Sequence, residues 1–111
     1  MIELIVLRYL ESTLSVPVYM EKPTKEPEEY VLIEKTGSGK ENHINSATFA
    51  IQSYSTSMYG AASLNEDVKA AMDTITDTPD VSKSSLNSDY NFTDTTTKKY
   101  RYQAVFDFVY F

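Results

Sequence analysis

Apolar and polar positions alternate along this chain with two different periods, and the switches between them outline the elements. Ile2, Val6, Tyr9, Leu10 and Leu14 recur at helical spacing, so residues 2–14 are expected to form a short amphipathic helix. Leu4, Ile5 and Leu7 widen its apolar stripe and predict burial on more than one side. Ser15 to Met20 is a short extended piece, with Pro17 suited to a strand edge. KPTKEPEE, residues 22–29, is a loop of prolines and charges.

Tyr30 to Lys35 is β-rich and apolar on both faces for its first four residues, as in a strand covered on both sides. TGSGKEN then reads as a loop. In INSATFAIQSY, residues 44–54, Ala47, Phe49 and Ile51 alternate with Ser46, Thr48, Ala50 and Gln52, the period-two pattern of a half-buried strand. Helical spacing returns over 57–76 through Leu64, Val68, Ala71, Met72 and Ile75. Ser63 and Glu66 have the capping-box form and would start this helix near Leu64. Met58, Ala61, Ala62 and Asn65 continue the face and favour a start near Ser57, with Gly60 inside at a cost of about 1 kcal/mol. Thr78-Pro79-Asp80 ends it.

Val81 to Tyr90 is a polar strand anchored by Val81, Leu86 and Tyr90, and residues 91–97 are a polar loop. Tyr100 to Tyr110 is the strongest strand, with Tyr100, Tyr102, Ala104, Phe106, Phe108 and Tyr110 on one face. The order α-β-β-β-α-β-β predicts one α+β domain, residues 1–111, with a mainly antiparallel sheet and two helices packed on it. No internal repeat is visible.

Composition narrows the function. The 111 residues suffice for one core. Without cysteine there is no disulfide scaffold, thiolate metal site or cysteine nucleophile. The longest apolar run, Leu4–Leu7, is far short of the ~20 residues of a membrane span. The first residues lack the form of a signal peptide, so a cytosolic location is expected. A net charge of −6 argues against sequence-independent DNA binding, which draws its affinity from Lys and Arg on phosphates. Only Lys98, Lys99 and Arg101 cluster, a pattern that suits a solvated strand end.

TGSGK, Thr36 to Lys40, spells the tail of a phosphate-binding loop. That loop needs GxxxxGK followed by Ser or Thr, between a strand and a helix. Here the first glycine is replaced by Glu34 and the hydroxyl by Glu41, both repelling phosphate, and a strand follows. The expected role of Gly37 and Gly39 is positive φ in a turn between two strands. His43, the single histidine, has no nucleophile or orienting partner in its vicinity. Glu28-Glu29 and Glu66-Asp67 are adjacent pairs that do not face one another. Asn91-Phe92-Thr93 has the N-glycosylation pattern, without meaning in a cytosolic chain. No catalytic residue, cofactor site or metal site is assigned. The aromatics from Tyr90 onward are dense: Tyr90, Phe92, Tyr100, Tyr102, Phe106, Phe108, Tyr110 and Phe111. Phe106 and Phe108 suit the core, and a surplus of exposed aromatics suits a protein contact.

Several stretches in order resemble the tail terminator family of long-tailed bacteriophages, which includes the phage lambda terminator. MIELIVLRYLESTLSVPVYMEKP is similar to the family's first helix, short strand and proline loop. EYVLIEKTGSGKENHINSATFAIQSYS is similar to its central hairpin, SMYGAASLNEDVKAAM to its second helix, and VSKSSLNSDYNFTDTTTKKYRYQAVFDFVYF to its final β-pair. The phrases YVLIEKTG, ATFAIQSY and YNFTDTTTKKYRYQAVFDF point to a phage or prophage of a Gram-positive host. The resemblance implies a homo-hexameric ring that caps the tail tube, stops its polymerisation and meets a head-completion protein. DNA would pass through an acidic lumen without specific binding. The location implied is the virion, after assembly in the host cytoplasm. A ring contact joins two different patches. The candidates are Tyr90, Phe92, Tyr100 and Tyr102, and the Gly37–Asn42 segment with Gly37, Gly39, Lys40 and Asn42. Another head–tail joining or minor capsid protein, or a monomeric binding module, are the alternatives.

Overall fold

The computed structural model describes residues 1–111. Helix α1 (Ile2–Thr13) leads into the two-residue strand β1 (Val18–Tyr19). The hairpin of β2 (Tyr30–Glu41) and β3 (Ile44–Ser55) follows, then α2 (Met58–Thr74), which tightens into a 3-10 turn at Ile75–Asp77. Strands β4 (Val81–Asn91) and β5 (Tyr100–Tyr110) complete one five-stranded sheet in the order β1-β2-β3-β5-β4. Only the β1–β2 pair is parallel. The expected α+β class and element order are those observed.

The period-two pattern divides the sheet into two faces. Val31 and Ile33 of β2, Ala47, Phe49 and Ile51 of β3, and Ala104, Phe106 and Phe108 of β5 turn to one side. Ile2, Val6 and Leu10 of α1 and Leu64, Val68, Ala71 and Met72 of α2 join them in the core. The two helices therefore take the same side of the sheet. Leu4, Ile5 and Leu7 of α1 are half-buried, so the helix has one buried face with a broad flank.

The longer of the two α2 readings is the observed one. Ser57, in extended backbone, caps the helix by accepting the Gly60 N–H at 2.9 Å. Gly60 also lies close to β3, since a Cβ there would collide with the Ser55 hydroxyl.

Three expectations are corrected. TGSGK is not a loop: β2 runs through it, bulged at Thr36, with Gly37 opposite Thr48, Ser38 opposite Ala47 and Gly39 opposite Ser46. No glycine has positive φ, and the reversal falls on Asn42 (φ 51°) and His43 (φ 67°). Two adjacent left-handed residues give the twist a two-residue hairpin requires, and asparagine tolerates that conformation better than most residues. The extension of β2 is driven by β3, whose long alternating run supplies a partner for every residue from Gly37 to Glu41. Finally, of the three anchors expected in β4 only Val81 is buried; Leu86 and Tyr90 are exposed, because β4 is the sheet's edge.

Candidate subunit interface

The sequence-nominated residues fall into two groups at opposite ends of the sheet. Gly37, Gly39 and Lys40 lie on the outer half of β2 and Asn42 in its turn, in the row of Val81 and Tyr110. This half is exposed on both faces from Glu34 to Glu41, and β1 covers the strand's edge only at Val31 and Leu32. Tyr90, Phe92, Tyr100 and Tyr102 lie at the other end. Tyr90 and Phe92 make an edge-to-face pair at 5.9 Å and are each about two-fifths exposed. Tyr100 and Tyr102 are half-buried, with Tyr102 on the helix side opposite Ser53.

The side of the sheet away from the helices holds a polar network that sequence reasoning missed. Register places Tyr30, Tyr54 and Arg101 in one cross-strand row and Leu32, Gln52, Gln103 and Tyr90 in the next. Tyr30 and Tyr54 stack at 4.5 Å. The Tyr54 hydroxyl donates to Gln52 Oε1 (2.8 Å), and Gln52 Nε2 donates to Gln103 Oε1 (2.9 Å). Gln103 Nε2 continues the chain to the Tyr90 hydroxyl. Arg101 donates from Nη1 to the Tyr54 hydroxyl (2.9 Å) and from Nε to the Phe92 carbonyl (2.6 Å), its guanidinium 4.3 Å from the Phe92 ring centre. The network thus reaches the Tyr90 hydroxyl and the Phe92 carbonyl and ring. The available signal was Gln52 and Gln103, two amides inside otherwise apolar strands.

The network ends at loop 22–29. The Tyr30 hydroxyl donates to Glu26 (2.7 Å), and Lys99 pairs with the same carboxylate at 3.0 Å. Burial, then the adjacent Glu26, pushes the Tyr30 phenol far up. The hydrogen bonds from Tyr30 and Lys99 hold the Glu26 carboxyl below its ordinary value. Nearer the hairpin, Asp107 accepts from Thr48 (2.6 Å) and Asn87 (3.0 Å), and those bonds lower its pKa.

Chemistry at TGSGK is constrained by its extended backbone. A phosphate loop wraps its amides around an anion at a helix start; here the segment is committed to strand pairing and leads into β3, with α2 starting only at Met58. His43 is exposed in the turn. No three His, Cys, Asp or Glu side chains converge in metal-binding geometry, and no helix is long and apolar enough to cross a membrane. A groove of about 720 Å³ runs between the end of α1 and the start of α2, past Leu14, Val16, Tyr59 and Leu64.

These features define a two-layer α+β domain with both helices on one face and two free sheet edges. No known protein family matches the chain, and no curated protein is similar to it.

Proposed function

We propose that the protein is a structural subunit of a phage or prophage virion, a tail terminator. Six copies form a ring on the end of the tail tube, stop further addition of tube subunits and offer a face to the head-completion protein. The reading rests on the resemblance of four successive stretches to the tail terminator family. The observation that supports it most is the asymmetry of the sheet. One side ends in the exposed outer half of β2, the other in β4, and these edges differ in sequence. A closed ring needs two different patches on opposite sides of each subunit. The network beneath Tyr90 and Phe92 supports a further patch of exposed aromatics, the residue type enriched at protein contacts. A net charge of −6 suits a lumen through which DNA slides without being held.

The test is a tube-length assay with the tube subunit encoded near this chain's gene. Added protein is expected to halt elongation and leave capped tubes. Tubes that lengthen unchanged at a large excess of the protein would refute the proposal. If the protein instead binds heads and ignores tubes, another head–tail joining role replaces it.

A further inference from the structure

The outer half of β2 and the strand β4 are the two free edges of a single sheet, and their polarity is compatible with joining. Directions alternate from β2 through β3 and β5 to β4. A second copy set head-to-tail in the same orientation therefore brings its β2 alongside β4 antiparallel, the favourable ladder for a hairpin sheet. We propose that neighbouring copies of this chain pair these edges, residues Lys83–Leu86 of one with Gly37–Glu41 of the next, in one continuous sheet. This rests on the ring reading and names the contact that builds the ring.

Three observations carry it. The first is regularity. Bulges interrupt β2 at Thr36 and β4 at Ser82 and Asn87, and edge bulges obstruct pairing. The stretches Gly37–Glu41 and Lys83–Leu86, five and four residues long, lie between or beyond them and are regular and free of proline. The second is bulk. Gly37 and Ser38 meet Ser85 and Ser84, Gly39 lies opposite Lys83 and gives its long side chain room, and a Cβ at Gly37 would touch nothing within 4 Å.

The third is charge. Within one chain the rows running from β2 to β4 link Gly39 with Lys83, Gly37 with Ser85 and Ile33 with Asp89. The same rows continued into the next copy set Lys83 diagonal to Glu41 on the open face. These two charges are opposite and within reach of long side chains. Within the paired stretches no like charges share a row and face, and Asp80, just before β4, falls in the row of Glu41 beside Lys83.

The absence of cysteine makes the test clean. Residues 37 and 85 of one chain are three strand spacings apart, about 14 Å, so a disulfide between them cannot form within a chain. Gly37→Cys and Ser85→Cys are made separately and together, with Gly39→Cys and Lys83→Cys as a second set; solution mass is followed in parallel. Under mild oxidation the mixed single variants are expected to give the heterodimer at about tenfold or more over either homodimer, as paired edges raise the local thiol concentration to the millimolar range. The double variant is expected to give a ladder of linked chains. A six-copy ring without the heterodimer overturns the pairing and leaves the ring reading standing. A ladder whose mass never closes at six supports the pairing and removes the ring. A monomer with no heterodimer overturns the pairing, and the tube-length assay then decides the ring reading alone.

Discussion

His43 holds φ at 67° with a side chain attached, next to Asn42 at 51°. A left-handed conformation costs an ordinary L-residue about 1–2 kcal/mol, and Asn-Gly is the pair this turn favours. Set against the larger unfolded-state entropy of glycine, His43→Gly is expected to stabilise the protein by about 0.5 kcal/mol in urea unfolding. Gly60→Ala should do the reverse. Helix propensity favours alanine by ~1 kcal/mol, but the new methyl would run into the Ser55 hydroxyl and lie 3.0 Å from its Cβ. A net loss of about 1 kcal/mol is expected. Asp107 carries a pH prediction. Its carboxyl is held below the ordinary aspartate value in the fold by hydrogen bonds from Thr48 and Asn87. The resulting stability is therefore fully present above the unfolded value and is lost as pH falls through the folded one. Asp107→Asn is expected to lower stability by about 1 kcal/mol at pH 7, with the gap to the parent closing below about pH 4. Unfolding curves at a series of pH values check it.

The hairpin shows how far an element is legible before its partner is known. Phe49, Ile51, Phe106 and Phe108 are buried where the alternation placed them, and the helical face of α2 holds from Ala61 to Met72. Those elements announce themselves because one face is apolar and the other is not. Thr36 to Glu41 has no such contrast: it is exposed on both faces, and it is a strand only because β3 continues beside it. Glycines there were read by intrinsic preference, and pairing overrode it. The same blindness hid the Gln52–Gln103 pair, since a buried amide becomes intelligible only once Tyr54 and Tyr90 are seen to satisfy it. Core energetics sit in the readable part. Phe49 is fully buried and in edge-to-face contact with Phe108 at 5.7 Å. Phe49→Ala is expected to cost about 3–5 kcal/mol, whereas Phe92→Ala, at the exposed end of the network, should cost far less stability.

At the scale of the whole molecule, a single-sided packing leaves much of the other sheet face to its own side chains. Loop 22–29, tied through Glu26 to Tyr30 and Lys99, covers one end of that face. Toward the hairpin the face carries Thr48, Val105, Asp107 and Val109. The fold thus presents an aromatic corner, a mixed face of hydroxyl, carboxylate and valine side chains, and two sheet edges of compatible polarity, features that suit the proposed assembly. The central claim is assembly, and its most direct measurement is mass by light scattering, for the protein alone over a wide concentration range and for the species recovered on tail-tube ends. The account predicts six copies, free in solution or gathered on each tube end. A chain that stays monomeric at every concentration and is recovered on no tube end would contradict it.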